Sequence, residues 1–98
     1  MEIRKTKTDK QVILALEGRL DTTTAPELEK ELQKSLDDVT DLIFDLTDLE
    51  YISSAGLRVL LYAQKVMNRQ GKMTVRHPNE MIQEVFEITG FVDILHIE

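Results

Sequence analysis

The sequence predicts one α/β domain, a single mixed and largely parallel β-sheet with amphipathic helices, in the order β-β-α-β-α-β-α-β. Three observations predict it. Short, mainly apolar segments at residues 12–16 and 42–46 alternate with segments whose apolar residues recur every three or four positions. Each strand after the second is separated from the next by enough residues for a helix, which is the crossover that parallel pairing needs. The chain has 98 residues, 42% hydrophobic and 31% charged, enough for one modest core but not two. Residues 1–98 are therefore read as one domain.

Residues 2–8 alternate weakly, and Thr8-Asp9-Lys10 forms a polar turn. The first two strands can pair across that turn as an antiparallel hairpin. Val12-Ile13-Leu14-Ala15-Leu16 is continuously apolar and the run ends at Gly18, the pattern of a buried strand. Thr22-Thr23-Thr24 before Ala25-Pro26-Glu27 reads as a helix start. Thr24 can cap the first amides, Glu27 stands three residues on as in a capping box, and proline is tolerated in a first turn. Leu28, Leu32 and Leu36 then form one stripe, with Glu27, Lys30, Glu31 and Lys34 outside it.

Leu42-Ile43-Phe44-Asp45-Leu46 is the third strand, and residues 47–52 read as a loop. A second helix, about 54–70, carries apolar residues on more than one face, so much of it is expected to be buried. Gly71 is placed to stop it in a left-handed conformation. Residues 72–77 make a fourth strand with Met73 and Val75 inward, closed by Pro78. A third helix, about 79–89, is expected to bury Met81, Ile82, Val85, Phe86 and Ile88 and to end at Gly90. Residues 91–97 read as a last short strand.

Composition removes several kinds of chemistry. The formal net charge is -6, and it is concentrated: residues 1–20 carry +2, residues 21–50 carry -8, and residues 51–98 are neutral. An acidic balance with no basic stripe argues against direct nucleic-acid binding. The absence of cysteine excludes disulfides and thiolate chemistry and fits a reducing compartment. The apolar runs are too short to span a bilayer, and no signal-peptide pattern is visible, so a cytoplasmic domain without membrane insertion is expected. His77 and His96 stand 19 residues apart with no ligand-like spacing, so neither a metal nor a cofactor is expected. The isolated glycines form no phosphate-cradling loop. No serine has a histidine and an acid at a motif spacing, and the expectation is a protein that is not an enzyme.

Asp45 is expected at a strand end, where the carboxyl edge of an α/β sheet carries its crevice. A response-regulator receiver domain would also need an acidic pair after the first parallel strand and a lysine after the last. Glu17-Gly18-Arg19-Leu20-Asp21 has no adjacent pair, and residues 91–97 contain no lysine. Asp45 is then a solvated strand-end residue or a loop cap.

The strongest signal is Tyr51-Ile52-Ser53-Ser54-Ala55-Gly56-Leu57-Arg58, where two hydroxyls precede Ala-Gly at the start of a helix. Ser53 or Ser54 can act as an N-cap. A cap does not need the small residues beside it: glycine near a helix start gives away up to ~1 kcal/mol. Ala55 and Gly56 clear space for another protein's backbone, and a helix N-terminus favours a phosphate placed there.

The stretch Asp45-Leu46-Thr47-Asp48-Leu49-Glu50 leading into that segment, taken through Arg58, resembles the signature of STAS domains, specifically of bacterial anti-sigma factor antagonists. Glu17-Gly18-Arg19-Leu20-Asp21, followed by Ala25 and Leu28, is similar to the family's other common motif. The element order matches along essentially the whole chain. The resemblance implies a STAS fold and a partner-switching cycle. The unmodified antagonist binds an anti-sigma factor that is also a serine kinase. Phosphorylation of one serine at the start of the second helix releases it, and a metal-dependent serine phosphatase resets the cycle.

Carried over by position, the phosphoacceptor is Ser54, two residues before Gly56. Many members have an aspartate where this chain has Ser53, which makes Ser53 a competing acceptor. Asp21 matches a family position near the acceptor, and its alternative role is a cap or turn residue before the first helix. Asp21, Asp45, Asp48 and Glu50 are expected to gather around Ser54 as an acidic surface for a basic patch on the kinase. Ser53, Ala55, Gly56 and Arg58 complete the expected partner-binding set. Two further readings stay open: a STAS adaptor subunit of a lipid transporter or signalling scaffold, without serine phosphorylation, and a small-ligand or nucleotide sensor.

Overall fold

In the computed structural model, which describes residues 1–98, β1 (Glu2–Thr8) and β2 (Gln11–Leu20) pair antiparallel. Asp9 makes the turn possible by adopting φ of 56°, a left-handed conformation that aspartate tolerates better than most residues. The chain continues through α1 (Ala25–Ser35), β3 (Asp41–Ile52), α2 (Ser54–Gln70), β4 (Lys72–Arg76) and α3 (Glu80–Thr89). The sheet order is β1-β2-β3-β4, and β2, β3 and β4 run parallel. This is the predicted α/β class with its mixed sheet.

One face of the sheet builds the core. Val12, Leu14 and Leu16 of β2, Leu42, Phe44 and Leu46 of β3, and Met73 and Val75 of β4 join α1 and α2 side chains in one cluster of 24 buried residues. Ile82 and Phe86 of α3 enter the same cluster, so all three helices pack into one core. The register aligns Ile13, Ile43 and Thr74 across the opposite face, where Ile43 is buried outside that cluster.

Four sequence expectations need correction. The third strand does not stop at residue 46: β3 runs on through the expected loop to Ile52. Its register against β2 slips twice, between Ala15 and Glu17 and between Gly18 and Arg19, so β3 carries two extra residues as bulges. The bulges break the two-residue alternation, and the strand then reads as a loop. Gly71 is not left-handed, because its φ of 173° is extended backbone. Glycine is required there by proximity, since a Cβ would collide with the Thr40 backbone.

The third helix buries Ile82 and Phe86 but leaves Met81 and Ile88 exposed, at 50% and 79% of their surface. Only the side of α3 turned to the sheet finds partners. Residues 91–97 are not a strand. Phe91–Asp93 form a 3₁₀ turn after the left-handed Gly90, and only Ile97 makes a single parallel bridge to Val75. Phe91 and Leu95 pack on the core four residues apart, a helical spacing rather than an alternating one.

Candidate functional site

The first turn of α2 is set directly on the ends of β2 and β3. The Ser53 amide donates to the Leu20 carbonyl at 2.9 Å, which ties the strand exit of β3 to that of β2. Ser53 is the N-cap: its extended backbone turns the chain, and its hydroxyl accepts from the Gly56 amide at 3.4 Å. That bond is long, so the cap is a weak one. Gly56 is buried, and a Cβ there would lie 2.7 Å from Leu20 Cγ and 2.9 Å from Ile52 Cγ1. Glycine at this position lets the helix approach the strand ends closely. Ser54, the first helical residue, is exposed and its hydroxyl has no hydrogen-bond partner within the protein.

Asp21 follows β2 and organises the turn into α1. Its Oδ1 accepts from the Thr23 hydroxyl at 2.8 Å and from the Thr23 and Thr24 amides at 3.0 and 3.1 Å. The Thr23 hydroxyl, above the partly opposing cost of desolvation, holds the Asp21 carboxyl below the usual carboxylate range. Thr24 is not the side-chain cap that the sequence suggested, and the capping box with Glu27 does not form. Its hydroxyl donates instead to the Arg19 carbonyl at 2.8 Å and accepts from the Asp21 amide at 2.8 Å. Arg19 lies over the Tyr51 ring, 4.3 Å from its centre, with Nε 3.8 Å from Asp21 Oδ2.

The expected acidic ring around Ser54 does not assemble. Because β3 extends to Ile52, Asp45 is not at its end but seven residues earlier, paired with Ala15 and Arg76. At strand rise that is about 20 Å from the helix start. The Thr47 hydroxyl donates to Asp45 Oδ1 at 2.6 Å and is the main cause of a lowered Asp45 pKa, aided by the nearby His77 and Arg76 charges. Asp48 faces Glu17 across the strands, and both carboxylates share Arg4, at 3.3 and 3.2 Å. These ion pairs are more than half exposed at Arg4 and Asp48 and contribute little. Glu50 occupies the second bulge on the exposed flank. Asp21, Ser53, Ser54, Ala55, Gly56 and Arg58 do share one end of the domain.

Beside Ser54, the first turns of α1 and α2 border a groove of about 310 Å³. Ala25, Pro26 and Glu29 line one side, and Ala55, Arg58 and Tyr62 the other. The floor is small and apolar, and the rim carries one charge of each sign.

The model of the STAS domain family matches residues 2–98, nearly the whole chain. The chain belongs to the STAS domain family. Among sequences, BtrV of Bordetella bronchiseptica is 37% identical, with 99% of this chain and 85% of that protein covered. The anti-sigma-B factor antagonist of Staphylococcus aureus is 32% identical, covering 99% of this chain and 92% of the relative. Among solved structures, the unphosphorylated form of the anti-sigma factor antagonist SpoIIAA superposes with a TM-score of 0.79 at 17% identity. That alignment covers 99% of this chain and 87% of SpoIIAA, and shows the shared fold.

Several residues of this STAS domain matter locally but escaped the sequence reading. Asn79 caps α3 through the Ile82 amide at 2.8 Å while its Nδ2 donates to the Leu49 carbonyl at 3.2 Å. It thereby fastens α3 to the bulged part of β3. The Arg19–Tyr51 stack depends on the slipped register, which the sequence does not display. Tyr62 had a signal: it falls four residues after Arg58 and seven after Ala55, on one helical face.

Proposed function

We propose that this STAS domain is an anti-sigma factor antagonist working by partner switching, with Ser54 as the phosphoacceptor. In the unmodified state it binds an anti-sigma factor that is also a serine kinase. Ser54 Oγ attacks the γ-phosphorus of the kinase's ATP, and the bond to the β,γ-bridging oxygen breaks. The serine proton passes to a base on the kinase, ADP leaves, and the modified antagonist is released. A metal-dependent serine phosphatase hydrolyses the phosphate and restores the hydroxyl. In this reading the domain performs no catalysis of its own.

One observation carries the choice of Ser54: its hydroxyl is exposed and unengaged at the first helical position, whereas that of Ser53 caps the helix. The names of the S. aureus relative and of SpoIIAA support the role, as does the solution of SpoIIAA in both an unphosphorylated and a phosphorylated form. Asp21, Ala55 and Arg58 form the surface the partner covers, with Glu50 at its margin; Gly56, expected in that set, is buried against Leu20 and Ile52 and supports the surface from beneath. Asp45 and Asp48 lie outside it. A phosphate adds roughly -1.5 to -2 charges where the helix dipole favours an anion, so release comes from bulk and desolvation at the interface rather than from refolding.

The experiment is phosphoryl transfer. The protein is mixed with ATP and candidate kinases encoded near its gene, and any phosphate is mapped by mass spectrometry. Phosphate on Ser54, abolished in Ser54→Ala, is the expected result. Binding without transfer to either serine would overturn it in favour of an adaptor.

A further inference from the structure

We propose that Arg58 is the residue that holds the phosphate on Ser54, so that modification also withdraws a free cation from the docking surface. The proposal rests on Ser54 being the modified residue. Ser54 and Arg58 are four apart on α2, the spacing at which helical side chains meet. Side chains on a helix lean toward its N-terminus, so Arg58 reaches back toward Ser54 rather than away from it. Ala55, the neighbour on the exposed side, is small, and Gly56 and Leu57 are buried, so no side chain stands between them.

The charged groups nearby leave Arg58 as the available cation. Arg19, at the end of β2, is engaged with the Tyr51 ring and lies within 3.8 Å of Asp21. Asp21 in turn is filled by Thr23 and Thr24. Arg58 is exposed and forms no ion pair with Glu29, the acid that shares its groove, or with any other carboxylate. A guanidinium presents paired donors to phosphate oxygens, and that geometry gives it a stronger claim on a phosphate than on a distant carboxylate. The unmodified surface therefore shows one unengaged arginine at the groove rim. The modified surface shows that arginine engaged and a dianion only in part offset by it.

The test installs phosphoserine at position 54 during translation, which requires no kinase. The second ionisation of the phosphate is followed by ³¹P NMR against pH in the otherwise native chain, in Arg58→Gln, in Arg58→Lys and in Arg19→Gln. Loss of Arg58 is expected to raise that pKa by roughly 0.15–0.4, with lysine recovering part of the shift and Arg19→Gln changing it less. Thermal midpoints of the unphosphorylated variants should match, which separates the effect from a structural one. An unchanged phosphate pKa in Arg58→Gln, or a larger shift in Arg19→Gln, would overturn the assignment. An Arg58-dependent shift in a protein that no kinase modifies would uphold it and count against the functional reading alone.

Discussion

Replacing Gly56 by alanine sets two effects of opposite sign against each other. Alanine is the better helix former by about 1 kcal/mol in a helix interior, and by less in a first turn. Against that, the new methyl would stand 2.7 Å from Leu20 Cγ, 2.9 Å from Ile52 Cγ1 and 3.0 Å from Leu20 Cδ2. Leu20 is fully buried and Ile52 is 3% exposed, so neither side chain can swing into solvent to make room. Overpacking of this kind costs about 1–3 kcal/mol. The net expectation is a loss of about 1–2 kcal/mol, or roughly 5–10 °C in Tm for a domain of this size. Urea unfolding at constant m measures it. In a Leu20→Ala background, where two of the three close contacts are gone and only Ile52 Cγ1 remains, the same Gly56→Ala change should cost less, which shows as a coupling energy in the double-mutant cycle. A rise in the urea midpoint of the single variant would refute the close packing of α2 on the strand ends.

The two serines should separate cleanly. Ser53→Ala removes the N-cap and should cost about 0.5–1 kcal/mol, while Ser54→Ala should leave the urea midpoint nearly unchanged. Ser54→Asp should likewise keep the fold, with thermal scans unaltered or slightly improved and kinase binding by calorimetry weakened. On α3, Phe86→Ala should cost about 3–5 kcal/mol, whereas Ile88→Ala should fall within about 0.5 kcal/mol of the parent, as denaturant titration would show. Asp45, Glu31 and Asp21 all have pKa values below their ordinary ones, caused first by the hydroxyls of Thr47, Ser35 and Thr23 respectively. A depressed carboxylate pKa contributes stability that is present above the unfolded value and lost as pH falls through the folded one. Melting temperature should therefore hold at neutral pH and decline below about pH 4, and Thr47→Val should raise the Asp45 pKa measured by NMR.

The sequence displayed the elements whose local chemistry matched their packing. The start of α2 is legible because Ser-Ser-Ala-Gly follows an apolar strand, and its end because a glycine follows the last apolar position, although Gly71 is extended and is needed for its closeness to the Thr40 backbone rather than for a left-handed turn. The turn into α1 was located correctly but assigned to the wrong side chain. Asp21 and Thr24 offer similar oxygens three residues apart, and only the path of the chain decides which one meets the amides. The full length of β3 is not legible, because Thr47-Asp48-Leu49-Glu50 has lost strict alternation to two bulges. A strand ending at residue 46 would put Asp45 at the carboxyl edge beside Ser54, whereas the bulged strand to Ile52 keeps it away from the expected acidic ring. The outward residues of α3 were misjudged for a different reason. Met81 and Ile88 are apolar, but the domain has one core and α3 offers only one side to it.

The last residues of the chain give the sheet a property of its own. The Val75 amide donates to the His96 carbonyl at 2.9 Å, the Glu98 amide to the Val75 carbonyl at 2.9 Å, and the His77 amide to the Glu98 carbonyl at 3.2 Å, so the C-terminal part of β4's free side is occupied. The opposite margin, β1, carries Arg4, Lys5 and Lys7, charges of the sort that discourage another strand from joining. With one margin partly covered and the other guarded, neither invites a partner to extend the sheet with a strand of its own. The partner in the proposed function would then be met on the helical side of the molecule, by side chains rather than by main-chain hydrogen bonds. A surface read in that way is one whose meaning a single altered side chain can reverse.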